Sequence, residues 1–218
     1  MTFSHQPALR GALSTVLTLF GGLLVGLIFG DLVFHALPGH SLENPSPTHM
    51  AIAALPAFSG FLAGGAAWGV AMGRIAGKAN TRRVAFAGML GFAPITIALA
   101  IGLSFVETIA NTGFLARISI HRLFTLLFVP AAFLIAGFSA WVFGKGLRDN
   151  KLARSLLWQV GSAAGLTFLV VNLFMESSGW IIGAPEAAGR ATMVTVLVVA
   201  NISAALVGGA VMGRKLIG

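Results

Sequence analysis

The sequence predicts an all-α fold: a polytopic membrane protein whose six transmembrane helices form three pseudo-repeated hairpins. The first observation behind this prediction is composition. Of the 218 residues 57% are hydrophobic and 9% are charged, which is too little charge to cover a soluble domain of this size. The second is a series of apolar runs of roughly 20 residues, the length a helix needs to cross the hydrocarbon core. The third is one pattern, Phe-x-carboxylate, that recurs at the end of alternate runs.

The six predicted spans are separated by short polar turns. They cover about residues 12–37, 50–72, 84–106, 123–143, 156–175 and 191–212. The first is too long for the apolar segment of a signal peptide, about 7–15 residues, so we interpret it as a retained helix. Prolines fall inside three spans, at Pro56, Pro94 and Pro130, where we expect kinks. Residues 1–218 are therefore predicted to form a single membrane domain.

Basic residues are distributed unevenly between the two sides of this domain. Of the 14 lysines and arginines, 11 lie near the chain termini and in the second and fourth turns, and only Arg117, Arg122 and Arg190 lie on the other side. Short loops rich in Lys and Arg stay in the cytoplasm. We therefore expect an integral protein of a bacterial cytoplasmic membrane with both termini cytoplasmic. These turns also explain the net charge of +8, so we expect no nucleic-acid partner.

Glycines at four-residue spacing mark the predicted packing faces of the first two spans. Such spacing lets two helix backbones approach closely in a membrane. The glycines concerned are Gly22, Gly26 and Gly30 in the first span, and Gly60, Gly64, Gly69 and Gly73 in the second.

The hairpin units are predicted to cover about residues 10–83, 84–154 and 155–218. Asp31, Glu107 and Glu176 each follow a Phe by two residues and each end an odd-numbered span. Among the even-numbered spans, Gly69-Val-Ala-Met-Gly-Arg74 matches Gly209-Ala-Val-Met-Gly-Arg214. All three units run in the same direction, which predicts a pseudo-threefold axis along the membrane normal. Many secondary transporters have inverted repeats instead.

The three carboxylates have two interpretations. In the first, each lies at the membrane interface, where a charge costs little, and pairs with a loop residue or ends its span. In the second, Asp31, Glu107 and Glu176 form an acidic ring at an outer vestibule that attracts an ion or solute, as charged rings do in channels.

Histidine is concentrated near the first carboxylate. His35 lies four residues after Asp31, on the same helix face, and His40 and His49 follow in the first outer loop. Imidazole and carboxylate together suit zinc and similar ions, so the three histidines are candidate metal ligands. The alternative is a satisfied Asp31–His35 pair and interfacial histidines, because no HxxxH or HExxH pair is present.

Asn172 and Asn201 are the asparagines placed within predicted spans. An intramembrane amide most simply bonds a neighbouring helix. The functional alternative is that both line a solute path.

Two functions follow from these residues. The first is a permease or channel-like protein that passes an ion or small solute between its helices. The second is a non-catalytic subunit of a larger membrane complex or homo-oligomer, whose glycine faces dock partner helices or seat a pigment, quinone or lipid. The sequence contains no Ser/His/Asp arrangement and no phosphate-binding loop followed by Lys, so we do not expect an enzyme. The sequence identifies no cofactor.

Overall fold

The computed structural model of the chain describes residues 6–38, 47–77, 80–93, 120–177 and 186–217. These residues form six α-helices, which confirms the all-α prediction for the part of the chain described. The helices are α1 (Gln6–Ala36), α2 (Pro47–Ile75), α3 (described over 81–93), α4 (Ile120–Gly146), α5 (Asn150–Ser177) and α6 (Glu186–Lys215).

At their charged ends the helices extend about one to two turns beyond the predicted apolar spans. Two of these ends are capped by a side chain. The Arg83 backbone N–H donates to Asn80 Oδ1 at 3.1 Å, and the Leu152 backbone N–H donates to Asp149 Oδ1 at 2.8 Å. These bonds satisfy amides that have no partner within the helix. Apolar run length alone therefore underestimates where α3 and α5 begin.

The turns after α2 and α4 each contain a residue in the left-handed region. These residues are Gly77, with φ of 64°, and Arg148, with φ of 61°. In the second turn the Asp149 N–H donates to the Gly144 carbonyl at 3.2 Å, which closes the end of α4. A side chain at such a position costs about 1 kcal/mol relative to glycine. Arg148 thus occupies a position that backbone sterics assign to glycine.

Three helical segments in the described part of the chain are long and apolar enough to cross a membrane. They are Gln6–Ala36, Phe128–Gly146 and Asn150–Met175. These segments belong to α1, α4 and α5, and they overlap the first, fourth and fifth predicted spans. The other three predicted spans include residues or side chains that the structure does not describe, so a total of six spans stays a prediction.

Helices α1 and α2 approach so closely that only glycine fits between them. A Cβ built on Gly22 would collide with the Gly60 carbonyl oxygen and lie 2.9 Å from Gly64 Cα. A Cβ built on Gly60 would lie 2.8 Å from Gly26 Cα. Gly30, one turn beyond Gly26, is also buried. These glycines therefore form an interface within the chain.

The remaining predicted glycines form a second face of α2, which packs against α3. A Cβ on Gly69 would collide with the Val84 carbonyl, and one on Gly73 would lie 2.7 Å from Val84 Cγ2. The reciprocal contact is as close, since a Cβ on Gly88 would lie 2.8 Å from Gly69 Cα. One helix thus uses two glycine rows for two neighbours.

Further contacts between small residues join the other helices into a closed ring. Gly91 of α3 packs on Ser139 of α4, whose hydroxyl lies 2.8 Å from the Gly91 carbonyl oxygen. Gly137 of α4 packs on Gly161 of α5, and α5 packs along α6. Gly11 of α1 packs on Gly213 of α6, which completes the circle. The order around the ring is therefore α1 to α6.

Three contacts between neighbouring helices lie at one end of the ring, which we call the basic end. There α1, α3 and α5 begin and α2, α4 and α6 end. The contacting pairs are Gly73 with Val84, Gly144 with Ala153, and Gly213 with Gly11. Each of the six residues is directly followed or preceded by a cation in the chain: Arg74, Arg83, Lys145, Arg154, Arg214 and Arg10.

The centre of the ring near the basic end is filled by large side chains, which we call the inner core. Met72, Phe143 and Met212 come one residue before the three contacting glycines, and all three are fully buried. Trp68 packs edge-on against Phe143, with ring centroids 5.5 Å apart. A smaller cluster around Phe168 fills the space between α4, α5 and α6 further from the basic end. The centre of the basic half is therefore solid and apolar.

The outward faces of the described helices are also apolar. On α5, Leu166 and Val170 are more than 60% exposed, and on α1 Leu13 and Leu17 are 47% and 69% exposed. Exposed apolar surface of this extent marks an interaction with lipid or with other apolar surfaces. Small buried residues combined with large apolar exposed ones are typical of helices packed within a bilayer.

Candidate functional site

Asn201 of α6 lies on the face that is directed towards the centre of the ring. It precedes Met212 of the inner core by 11 residues, which is about three turns, so the two side chains leave the helix on nearly the same side. Met212 is fully buried, whereas Asn201 is exposed. The surface of α6 on this side thus changes from exposed at Asn201 to fully buried at Met212.

Two neighbours of Asn201 define the opposite side of α6. Val199 and Val207 are 38% and 39% exposed. Val199 lies more than a quarter turn away from both the Asn201–Met212 face and the α5-facing row of Ala200, Ala204 and Gly208, and Val207 lies at the outward edge of that row. They therefore belong to the outer surface of the ring.

Asn172 of α5, the other predicted amide, is buried, with 9% of its surface exposed. Its side-chain amide donates to the Phe168 carbonyl one turn earlier, at 2.9 Å. This bond within one helix favours the structural interpretation of Asn172. Of the two amides, only Asn201 is exposed.

Asp31 lies on the outward face of α1. It follows exposed Leu13 by 18 residues and exposed Leu24 by seven, about five and two turns, so the three side chains share one side. Gly26 and Gly30, which are buried, lie on a different side. The Asp31 side chain is 72% exposed. This placement favours an interfacial role for Asp31 over a position in a central acidic ring.

His35 and Asp31 form the predicted pair. The carboxylate Oδ1 lies 3.5 Å from His35 Nδ1, and the Asp31 carbonyl oxygen lies 2.9 Å from the same nitrogen. A proton on Nδ1 donates to that carbonyl, which fixes the ring against its own helix. The described residues hold no group of three or more potential metal ligands. His40 and the side chain of His49 lie outside the described part of the chain.

The other two carboxylates also lie beyond what the structure describes. Glu107 falls between the described segments, and Glu176 belongs to α5 but its side chain is not described. The prediction that these two carboxylates share a vestibule stays a prediction.

The half of α1 that follows Gly22 is buried on one side only, along Gly26 and Gly30. Consecutive residues Leu27, Ile28 and Phe29 are each more than 50% exposed, although they point in three directions about 100° apart. A helix that simply faced lipid would expose one stripe. The exposed surface of this half of α1 is therefore wider than a single stripe.

Sequence reasoning missed the inner core and the hydrogen bond above it. Trp68 Nε1 donates to Thr15 Oγ1 at 3.0 Å, and both residues are buried. The sequence signal for the inner core was a three-residue pattern at the ends of α2, α4 and α6: a large apolar residue, then a glycine, then a cation. Only the Met-Gly-Arg copies in α2 and α6 were recognised, because Phe143-Gly144-Lys145 uses different side chains.

No protein-family model, curated protein or solved structure matches this chain.

Proposed function

We propose that this chain is an integral membrane protein of the permease or channel class, which passes an ion or small solute along the centre of its helix ring. In this account the ring spans the bilayer six times, as three repeated hairpins. Its conformation is closed at the basic end by the inner core of Trp68, Met72, Phe143 and Met212. The observation that carries the proposal is the position of Asn201, exposed on the same helix face as fully buried Met212.

The three contacts at the basic end support the repeated hairpins. Each joins the last turn of an even-numbered helix to the first turns of the odd-numbered helix that follows it around the ring. The closing contact, Gly213 with Gly11, is equivalent to Gly73 with Val84. Such equivalence is expected if three similar units surround one axis. An axial position is the natural place for a path shared by all three units.

The cations support the proposed orientation. Every cation that flanks the three contacts lies at one end of the ring, and by the distribution of basic residues that end is cytoplasmic. Both termini lie at the same end. The open space near Asn201 then faces the outside of a bacterial cytoplasmic membrane. A solute would enter from there and would meet a hydrophobic constriction, which in channels acts as a gate.

The alternative, an accessory subunit, is favoured by one observation: the exposed surface of α1 beyond Gly22, which a partner helix would cover. Docking through glycine faces receives no support, because Gly22, Gly60, Gly64 and Gly69 pack within the chain. Such a subunit would co-purify with other membrane chains in mild detergent. A chain that purifies alone and conducts favours the first function.

The test is flux through purified protein in liposomes. The probes are K⁺, Cl⁻, urea and glycerol, measured against protein-free liposomes. Phe143→Ala removes the largest fully buried side chain of the inner core and should raise the leak of at least one probe. The control, Phe138→Ala, removes an outward-facing ring that is 38% exposed and should leave every leak unchanged. If neither the native chain nor Phe143→Ala exceeds empty liposomes, while both retain helical circular dichroism, the proposal is wrong.

A further inference from the structure

The turn between α4 and α5 concentrates positive charge that the chain itself does not neutralise. Lys145, Arg148, Lys151 and Arg154 fall within ten residues. Asp149 is the one acid among these four cations, and its Oδ1 accepts the Leu152 N–H at the start of α5. In the described part of the chain, Arg148, Lys151 and Arg154 make no side-chain hydrogen bond or ion pair. All three are exposed.

Two tryptophans lie within one turn of these cations. Lys145 Nζ lies 5.5 Å from the Trp141 ring centroid and donates to Asn150 Oδ1 at 2.8 Å, so it is held beside the ring. Trp158 follows Arg154 by four residues, on the same side of α5. Although its ring packs 5.8 Å from that of Phe133 on α4, Trp158 remains 63% exposed. Trp residues in this setting occupy the headgroup level of a bilayer.

Further along α5, from Leu166 onward, large exposed side chains are apolar. Leu166, Val170 and Leu173 on α5 are each more than half exposed. From Arg154 to Leu173 the helix rises about 28 Å, close to the roughly 30 Å thickness of a hydrocarbon core. Cation, tryptophan and apolar row thus succeed one another in the order in which a phospholipid presents its phosphate, glycerol and acyl chains.

From this charge complementarity we infer that the α4–α5 basic surface, formed by Trp141, Arg148, Lys151, Arg154 and Trp158, binds the headgroup of an anionic phospholipid. Guanidinium groups match phosphate oxygens in a bidentate geometry, and the ammonium of Lys151 adds a point charge. A zwitterionic headgroup carries its own cation and gains less. The inference rests on the proposed membrane location, and it adds a preference for one class of lipid at one place on the ring.

The test uses quenching of tryptophan fluorescence by brominated acyl chains, in full-length chain carrying Trp180→Phe. Liposomes contain dibrominated phosphatidylglycerol or dibrominated phosphatidylcholine, mixed with unbrominated lipid. We expect the native surface to concentrate phosphatidylglycerol, which then quenches at a lower mole fraction. Lys151→Gln with Arg154→Gln should abolish that preference. The preference for phosphatidylglycerol over phosphatidylcholine should fall roughly tenfold or more.

The matched control is Arg214→Gln with Lys215→Gln, which removes two cations from the same end of the ring and lowers the net charge equally. It should retain the preference. An equal loss in both double variants would show that only the general surface potential attracts the lipid, and would overturn the proposed site. So would an equal response of the native chain to both lipids. If neither brominated lipid quenches, the membrane location itself is wrong, and the two failures are thereby distinguished.

Discussion

Trp68 and Thr15, 53 residues apart, are joined by a hydrogen bond of 3.0 Å from the indole nitrogen to the hydroxyl oxygen. The hydroxyl in turn donates to the Gly11 carbonyl at 2.8 Å, within its own helix. Gly11 of α1 packs on Gly213 of α6. One buried chain of polar groups therefore orients Trp68 of the inner core relative to the contact that closes the ring.

Thr15→Val should destabilise the chain by about 1–3 kcal/mol, because it leaves the buried Trp68 N–H without an acceptor. Thr15→Ser should restore most of the loss. The control is Thr167→Val, which removes a hydroxyl that bonds only to the Ala163 carbonyl of its own helix. The measurement is unfolding in mixed micelles followed by circular dichroism. Equal losses at residues 15 and 167 would mean that the bond between helices adds nothing.

Gly22→Ala should destabilise the α1–α2 interface by about 1–3 kcal/mol, since the added Cβ meets backbone atoms that cannot move aside. The adjacent residue provides the control. A Cβ on Gly21 has no atom within 4 Å, so Gly21→Ala should be neutral or stabilise the helix by up to about 1 kcal/mol. The same unfolding assay compares them. A neutral Gly22→Ala would contradict the described approach of the two helices.

Arg148→Gly should stabilise the chain by about 1 kcal/mol, because glycine adopts the left-handed backbone without steric cost. Gly77→Ala should have the opposite effect and a similar size, since a Cβ there touches nothing and only the backbone is strained. If Arg148 binds a lipid phosphate, Arg148→Gly will combine higher stability in detergent with a weaker preference for phosphatidylglycerol. Stability that falls instead would show that the Arg148 side chain holds the turn.

Asn201→Leu should reduce flux of whichever probe the native chain passes by about tenfold, equivalent to about 1.4 kcal/mol of barrier. Asp31→Asn should leave flux unchanged, because its side chain lies on the outward face of α1. Flux in proteoliposomes measures both. Glu107→Gln tests the acidic ring separately, and the ring predicts loss of flux in that variant. A loss in Asp31→Asn with none in Asn201→Leu would reverse the assignment of the two residues.

The helical class followed from the sequence because apolar run length reflects backbone physics: in lipid a helix satisfies its own amides. The direction in which each side chain points was harder to obtain. Asp31, Glu107 and Glu176 seemed equivalent by position along the chain, yet Asp31 faces outward. Which side of a hydrophobic helix is buried depends on the tilt of its neighbours, and nearly uniform apolar composition carries little information about it.

Helix packing was more accessible to sequence reasoning than the site. Four-residue glycine spacing indicated close approach, and the structure shows which partner each row meets: α1 for Gly60 and Gly64, and α3 for Gly69 and Gly73. The spacing could not distinguish these partners, because glycine rows on one helix look alike. The inner core was hidden for a related reason, since Phe143 and Met212 occupy equivalent positions with side chains of different chemistry.

The central claim, that open space at the centre of the ring reaches Asn201, is tested most directly by thiol labelling. The natural chain contains no cysteine, so single substitutions require no background changes. A charged methanethiosulfonate added outside intact cells reacts only with thiols in contact with water. We expect Asn201→Cys to be labelled and Val199→Cys, at the same depth on the outer surface, to remain unlabelled. If Val199→Cys is labelled and Asn201→Cys is not, or if neither is labelled, the claim of open space at Asn201 is wrong.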